Sequence, residues 1–201
     1  MIKRLFDIGV SGAGLVVFAP VAALIAIAIR LEDGGPVFFA QERVGKDCRV
    51  FPAFKFRSMI VDAERHTGAI QASLNDPRVT RIGRLLRATA FDELPQLWNI
   101  FRGDMSVVGP RPLRPGESDT TADGSLIPLS AIPGYEARHR VRPGLTGVAQ
   151  VHAPRDLPRN GKFRYDLLYT RRAGFCLDLK LILQSFWITA RGQWEHRGPK
   201  V

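Results

Sequence analysis

The sequence predicts a helix-rich α+β fold arranged around one N-terminal membrane helix. Residues 8–29 form an apolar run of 22 residues without a charge, an amide or a histidine, which is long enough to lie in a bilayer. Downstream, residues 37–57 alternate with the period of a β-hairpin, and later segments carry apolar residues at helical spacing. With 201 residues, 45% of them hydrophobic, the chain is large enough for one buried core. We therefore expect a membrane segment, residues 1–33, and a polar domain, residues 34–201.

The charge is distributed unevenly along the chain. The net charge is +10, and because residues 1–33 hold three basic and three acidic side chains, the surplus belongs to residues 34–201. Such a surplus suggests phosphate, nucleic acid or anionic lipid as partner. Two cysteines, Cys48 and Cys176, are too few for a secreted disulfide scaffold and favour a reducing, cytosol-facing location. The motifs of P-loop, dinucleotide-binding, zinc-protease and serine-hydrolase enzymes are absent from the sequence.

The apolar run has three interpretations. As one straight helix it would extend about 33 Å, which fits a transmembrane span. Pro20 lies in its middle and removes a helix hydrogen bond, so a bent, re-entrant helix is the second interpretation. Basic residues on both sides of the run suit a helix that enters and leaves on one face. The third interpretation is a signal peptide with a cleavage site near residues 26–28, which the length of the run and the cysteine usage disfavour.

A short β-hairpin is the next predicted element. Its strands are residues 37–39 and 49–57, with a turn at residues 45–47. In the second strand Lys55 and Arg57 alternate with two phenylalanines, so the two cations share one face. They form either an anion clamp or a solvated edge that discourages further strand pairing.

Further helices follow from apolar spacing and from turn residues. The predicted helices are residues 59–73, 79–87, 94–100 and 178–191, of which the second carries a stripe of arginines at steps of three that ends at Arg87. The last helix is amphipathic and suits either the core or a membrane surface. Residues 113–132 are rich in Pro, Gly, Ser, Thr and Asp and predict a loop.

Two adjacent carboxylates, Asp92 and Glu93, lie between the arginine stripe and the next helix. Helix capping explains them, with Asp92 as N-cap and Glu93 favoured by the helix dipole. The neighbouring arginines favour a second interpretation, in which an ionised carboxylate acts on a bound phosphate as nucleophile, base or Mg²⁺ ligand. Arg111, fixed between two prolines, and Arg142 are candidates to bind that phosphate, and each also fits an exposed arginine on a stiff loop.

Nine short motifs occur in order along the chain. They are Lys3-Arg4 with Asp7 ahead of the apolar run, and residues 35–39, 41–45, 55–59, 76–83, 92–96, 103–106, 109–112 and 142–147. In this order they resemble the bacterial sugar transferase family, the small monotopic phosphoglycosyl transferases. The likeness covers nearly the whole chain, and the fixed order of nine motifs makes it specific.

The resemblance implies transfer of a sugar 1-phosphate from a UDP-sugar to a membrane polyprenol phosphate. UMP is released, and the product starts a bacterial glycoconjugate. It also implies a two-step mechanism in which Asp92 attacks the sugar-proximal phosphorus and forms an aspartyl phosphosugar. Glu93 matches the second member of the acid pair, and Mg²⁺ would be bound by Asp92 and Glu93. The implied location is the cytoplasmic face of the bacterial inner membrane.

The resemblance further implies substrate-binding residues and a shape for the membrane helix. Residues 34–201 become the catalytic domain, and the candidate substrate ligands are Lys55, Arg57, Arg87, Arg111, Arg142 and Asp166, of which Arg57 comes from the strand pattern. The membrane helix of the family is re-entrant at a Ser-Pro pair, which here reads Ala19-Pro20. The proline keeps the expected kink, whereas the hydroxyl is missing. The family likeness therefore favours the re-entrant interpretation of the apolar run.

Two other functions compete with this assignment. One is a non-catalytic basic membrane protein that binds anionic lipid, and nucleic acid is not expected because the basic patches lack interleaved aromatic residues. The other is a transferase in which Asp92 binds only the metal and the lipid phosphate attacks the sugar nucleotide directly.

Overall fold

The computed structural model describes residues 2–63, 65, 76–120, 124–154 and 157–191, and it is helix-rich with small sheets, as predicted. Its helices are α1 (Ile2–Asp33), α2 (Arg81–Thr89), α3 (Gln96–Arg102), α4 (Tyr135–Arg138), α5 (Val148–His152), α6 (Arg159–Arg172) and α7 (Phe175–Ala190). Its strands are β1 (Phe38–Val44), β2 (Val50–Phe56), β3 (Ser106–Val108), β4 (Ser118–Thr120), β5 (Leu126–Pro128) and β6 (Gly144–Thr146). Strands β1 and β2 pair antiparallel, as do β4 and β5, whereas β3 and β6 pair parallel.

Most predicted elements are confirmed with shifted ends. The hairpin forms, although β1 extends to Val44 and is longer than predicted. Helices α2, α3 and α7 correspond to the predicted helices at residues 79–87, 94–100 and 178–191. The predicted loop at residues 113–132 contains the short hairpin of β4 and β5. The predicted helix at residues 59–73 lies largely outside the described residues.

Helix α1 is long and apolar enough to cross a membrane by length and composition. Only 6% of its most apolar 18-residue window is buried within the protein, so most of its side chains face outward. The helix continues through Pro20. The bend expected at Pro20 stays a prediction.

The N-terminal end of α1 is fastened to the polar domain by charged side chains. Lys3 Nζ lies 2.5 Å from Asp178 Oδ2 of α7. Arg4 donates to the carbonyl oxygens of Ile100 and Phe101, each at 2.6 Å, at the end of α3. The buried carboxylate of Asp7 accepts a hydrogen bond from the Val107 amide of β3 at 3.0 Å.

The C-terminal end of α1 contacts the same domain. Arg57, directly after β2, is buried and forms a bidentate ion pair with Asp33. Glu32 accepts hydrogen bonds from the backbone amides of Arg81 and Ile82, and so satisfies free N–H groups at the start of α2. Both ends of α1 therefore lie against one polar domain.

A central apolar cluster joins the hairpin to the C-terminal helices. It contains Phe51 and Ala53 of β2, Ile100 of α3, Tyr169 of α6 and Leu181 of α7. The buried side chain of Asn99 also joins α3 to β2, because its amide nitrogen donates to the Pro52 carbonyl at 2.7 Å and its amide oxygen accepts from the Phe54 amide at 3.0 Å. These contacts set the position of β2 relative to the residues that precede α3.

Candidate active site

The acid pair lies in the connection between α2 and α3. Ala90 ends α2 in the left-handed conformation, with φ at 58°, and residues 91–93 form one turn of 3₁₀-helix before α3 begins. Pro95 occupies the N-cap position of α3, and no side chain caps this helix. The capping interpretation of Asp92 is therefore wrong, and the carboxylate is not needed to start the helix.

Glu93 is held by two cations from different elements. Its Oε1 accepts from Lys55 Nζ of β2 at 2.6 Å and from Arg111 Nη2 of the loop after β3 at 2.9 Å. The Glu93 side chain is only 14% exposed. Burial alone would raise the pKa of Glu93, but Arg111 and Lys55 outweigh it and hold that pKa well below its ordinary range. Glu93 is therefore a fixed, ionised carboxylate.

Asp92 differs from Glu93 in its bonded partners and in the direction of its pKa shift. Among the described residues, no donor makes a hydrogen bond or ion pair to its carboxylate, although it lies half-buried beside Glu93. Burial raises the pKa of Asp92 to about 6, helped by the charge of Glu93 and opposed by Lys55, Arg87 and Arg111. Two adjacent carboxylates with separated pKa values are suited to different chemical roles. Within the described part of the chain, Asp92 is the carboxylate of the pair that no hydrogen bond or ion pair holds in place.

Arg111 is placed by its backbone as well as by its prolines. Its carbonyl accepts a hydrogen bond from Arg138 Nη2 at 2.8 Å, and the carbonyl of Pro112 accepts one from Arg43 Nη1 at 3.1 Å. Just before this loop, a Cβ on Gly109 would lie 2.3 Å from the Arg142 carbonyl oxygen, so only glycine permits that approach. The loop is therefore fixed from both sides, and the Arg111 guanidinium reaches Glu93 from a rigid support.

The sequence comparisons bear on what this arrangement is. A family profile described as bacterial sugar transferase matches residues 1–192. The chain belongs to the bacterial sugar transferase family. The resemblance inferred from nine motifs is thereby confirmed over almost the entire chain.

Curated relatives within the family are named as transferases or as exopolysaccharide proteins. The chain is 47% identical over 187 residues to the undecaprenyl-phosphate glucose phosphotransferase of Komagataeibacter xylinus, covering 90% of this chain and 34% of that protein. It is 42% identical to the exopolysaccharide production protein PSS of Rhizobium leguminosarum bv. phaseoli, covering 90% and 92%. It is 39% identical to the UDP-glucose:undecaprenyl-phosphate glucose-1-phosphate transferase of Escherichia coli K12, covering 90% and 39%. The chain thus spans little more than a third of two of these relatives and nearly all of the third.

The structure brings three of the six predicted substrate ligands of this family member to the acid pair. Lys55 and Arg111 contact Glu93 directly, and the charge of Arg87 acts on Asp92. Arg57 does not join them, because it binds Asp33 and the Pro36 carbonyl at the end of α1. Arg142 is exposed and donates to the Gly103 carbonyl at 2.9 Å. Lys55 and Arg111 therefore contact the acid pair and Arg87 acts on it through its charge, whereas Arg57 and Arg142 are bonded elsewhere.

Asp166 is buried away from the acid pair but connected to it. Its Oδ2 accepts from Nε and Nη2 of Arg138 at 2.9 and 2.7 Å, and both side chains are almost fully buried. The same Arg138 holds the Arg111 carbonyl. Asp166 is therefore linked to Arg111 through Arg138, and its predicted contact with substrate stays a prediction.

Arg43 is a further cation near the acid pair that is absent from the predicted ligands. It holds the Pro112 carbonyl, and burial, together with the charges of Arg111 and Arg114, lowers the pKa of Arg43 to about 10. Arg43 is therefore a largely desolvated cation beside Arg111 and Arg114, and the carboxylates of Glu117 and Glu93 oppose the lowering of its pKa. Its place in the motif of residues 41–45 is the signal that could have identified it.

The site also fits a divalent cation. Within the described residues no cluster of three or more His, Cys, Asp and Glu side chains is suited to hold a metal by itself. Mg²⁺, however, is commonly bound by one or two carboxylates together with substrate phosphates. Lys55 and Arg111 both bind Oε1 of Glu93. Its other oxygen, Oε2, and the carboxylate of Asp92 could therefore serve as the two carboxylate ligands of Mg²⁺.

Proposed function

We propose that this protein transfers a sugar 1-phosphate from a UDP-sugar to undecaprenyl phosphate or a similar polyprenol phosphate, releases UMP, and so initiates a bacterial glycoconjugate. Family membership and the names of the relatives support the two substrates. The observation that carries the proposal is the carboxylate of Asp92, to which no donor among the described residues bonds, beside a Glu93 that two cations fix. This arrangement offers one nucleophile and a cationic cradle for phosphate.

In the first step, an oxygen of ionised Asp92 attacks the phosphorus next to the sugar. A bond forms between this oxygen and phosphorus, and the bond to the bridging oxygen of the diphosphate breaks. UMP leaves with the electron pair of that bond. Lys55, Arg87 and Arg111 would stabilise the negative charge that develops on the phosphoryl oxygens, because fixed cations in a partly buried site act strongly on such charge.

In the second step, a phosphate oxygen of the lipid attacks the same phosphorus. The bond to Asp92 breaks, the carboxylate is regenerated, and the sugar leaves as part of a polyprenyl diphosphate. Splitting the transfer in this way lets one nucleophile serve two polyanionic substrates in turn. Mg²⁺, if bound by Asp92 and Glu93, would neutralise part of the diphosphate charge.

We also propose that α1 enters the bilayer from the cytoplasmic face of the inner membrane, bends near Pro20 and returns to the same face. The contacts of Lys3 and Arg4 at one end of α1, and of Glu32 and Asp33 at the other, support this, because both ends meet the same polar domain. Exposed apolar side chains of α7, including Phe186 and Trp187, support a second contact with the membrane surface. Such a location lets a soluble sugar nucleotide and a lipid reach one site.

A substrate panel tests the proposed reaction. The purified protein is incubated with Mg²⁺ and, separately, with UDP-glucose, UDP-galactose and UDP-N-acetylgalactosamine, with and without undecaprenyl phosphate, and UMP and lipid-linked sugar are quantified. The proposal expects lipid-linked product from at least one donor and loss of product when EDTA removes the metal. UMP without any lipid-linked product across the panel, in the presence of acceptor, would contradict it.

The pH dependence of the reaction should follow the ionisation of the Asp92 carboxyl. Because the raised pKa of Asp92 is about 6, the ionised nucleophile is lost as pH falls below that value. We expect kcat/KM for the sugar nucleotide to be nearly flat above pH 7 and to fall about tenfold per pH unit well below the pKa. Lys55 lowers this pKa, so Lys55→Met should move the midpoint to higher pH. Lys46→Met, in the exposed hairpin turn, is the matched control and should leave the midpoint in place. An unmoved midpoint in the Lys55 variant would remove Asp92 as its source.

We propose that Asp166 positions Arg111 through Arg138, and this role can be separated from a role in folding. Arg138→Met leaves a buried carboxylate without its partner, which should destabilise the protein by about 3–5 kcal/mol. The double variant Arg138→Met/Asp166→Leu removes both charges and should recover thermal stability. It still lacks the bond to the Arg111 carbonyl, so we expect KM for the sugar nucleotide to rise about tenfold with a smaller change in kcat. A stable double variant with unchanged KM would show that the pair serves folding alone.

A further inference from the structure

An apolar cavity of about 290 Å³ lies between α1, the β1–β2 hairpin and the start of α3. Leu15, Phe18 and Ala22 of α1 form one wall. The other walls come from apolar side chains of the hairpin and of the segment that leads into α3, including Phe54 and Trp98. Its size is close to that of small ligand pockets, and its lining residues are all apolar.

The residues that follow the acid pair in the chain line this cavity. Leu94 and Pro95 line the cavity and directly follow Glu93 in the chain. Consecutive Cα atoms are about 3.8 Å apart, so the rim of the cavity lies within a few ångströms of the acid pair. Strand β2 separates the two regions, since Phe54 and Phe56 line the cavity whereas Lys55 between them extends from the opposite face of the strand and binds Glu93. Charged and apolar surfaces therefore adjoin along residues 93–95, beside the strand.

The adjoining surfaces match an amphiphile with a phosphate head and a hydrocarbon chain. We infer that the cavity binds the first isoprenoid units of the lipid phosphate acceptor, with the phosphate directed to Lys55 and Asp92. This inference rests on the proposed function. A sugar nucleotide offers no comparable apolar part, and the wall formed by α1 is the part of the protein that we place in the bilayer. A lipid chain could thus enter from the membrane without crossing water.

The inference predicts that filling the cavity impairs the acceptor step. In Ala22→Phe the added ring would occupy space within the cavity, whereas Ala23→Phe puts the same ring on the exposed face of α1. Acceptor kinetics are measured with farnesyl phosphate in detergent and normalised to UMP release without acceptor. We expect KM for farnesyl phosphate to rise about tenfold or more in the Ala22 variant and to stay within about twofold in the Ala23 variant. Equal KM values in both variants would overturn the inference while leaving the proposed reaction intact.

A binding measurement that needs no turnover and no variant completes the test. The wild-type protein is photolabelled with farnesyl phosphate carrying a diazirine on its first isoprene unit, and labelled peptides are mapped by mass spectrometry. Label on residues 15–22 or 94–98 that undecaprenyl phosphate displaces, and that phosphatidylglycerol does not, supports the inference. Label elsewhere, or equal displacement by phosphatidylglycerol, would show a general lipid crevice or a different acceptor site and overturn it. Since labelling does not depend on the donor, its result stands even if the proposed transfer fails.

Discussion

Asp92→Asn should abolish sugar-phosphate transfer while leaving the fold unchanged. The side chain makes no hydrogen bond or ion pair among the described residues, so its replacement by an amide of the same shape removes a nucleophile and no structural contact. Loss of a nucleophile that forms a covalent intermediate typically costs several orders of magnitude, and we expect kcat to fall by about 10⁴-fold or more. Transfer is measured as lipid-linked sugar, and the fold is monitored by circular dichroism and thermal unfolding.

A matched control distinguishes the nucleophile from general effects of charge. Glu42→Gln removes one negative charge from an exposed position of β1 and should keep activity within about twofold. If Asp92→Asn kept a tenth or more of the wild-type rate, Asp92 would be reduced to a metal ligand or an electrostatic group. The lipid phosphate would then have to attack the sugar nucleotide directly.

The two ends of α1 should be accessible from the same side of the membrane. Lys3 and Arg4 bind the polar domain at one end and Asp33 binds it at the other, so the N-terminus and the hairpin must lie on one face. Cys48 is an exposed native thiol of the hairpin turn and reports that domain. A new thiol at the exposed Ile2 reports the N-terminus in a background of Cys48→Ser and Cys176→Ser.

Labelling with a membrane-impermeant maleimide gives an all-or-none result. We expect both thiols to react in inverted inner-membrane vesicles and neither to react in intact spheroplasts. A simple transmembrane span would place the two thiols on opposite sides, so that each preparation would label one of them. That outcome would contradict the contacts at the ends of α1 and would leave Pro20 without the role that we propose.

The parts of the fold that the sequence predicts are those set by local periodicity. The apolar run, the hairpin and the helices α2, α3 and α7 follow from spacing of two or of three to four residues, and these patterns need no knowledge of distant partners. Helix α6 is not predicted, because the sequence of this segment is rich in basic residues and contains few apolar ones. Phe163 and Tyr169 are among the residues that the helix buries. Its amphipathic pattern is weak, so only packing against other elements defines it.

The same limit applies to the active site. Local sequence identifies Asp92 and Glu93 as an unusual acid pair, but capping explains that pair equally well until the structure shows Pro95 at the N-cap. Strand alternation suggests Lys55 and Arg57 as a pair of anion ligands, yet Arg57 is bound by Asp33, 24 residues away in sequence. Tertiary contacts decide which carboxylate pairs with a given cation, and a single sequence does not record those contacts directly.

Backbone contacts are a second kind of information that spacing cannot supply. The motifs of residues 109–112 and 142–147 are far apart in sequence, yet Gly109 and Gly144 bring their backbones together beside the parallel pair of β3 and β6. Side chains would prevent that approach, since a Cβ on Gly144 would lie 2.0 Å from the Gly109 amide nitrogen. The family resemblance identifies both motifs. The structure adds that their backbones pack together and so support the loop that carries Arg111.

The central claim is that Asp92 carries the phosphosugar as a covalent intermediate, and a single-turnover reaction without acceptor tests it most directly. The protein is mixed with its sugar nucleotide and Mg²⁺, quenched in acid and analysed by intact and peptide mass spectrometry, while UMP is quantified in parallel. We expect UMP release of up to one equivalent per protein and a mass increase equal to the sugar phosphate on the peptide that contains Asp92. UMP release that requires the lipid phosphate, with no adduct at any quench time, would contradict it.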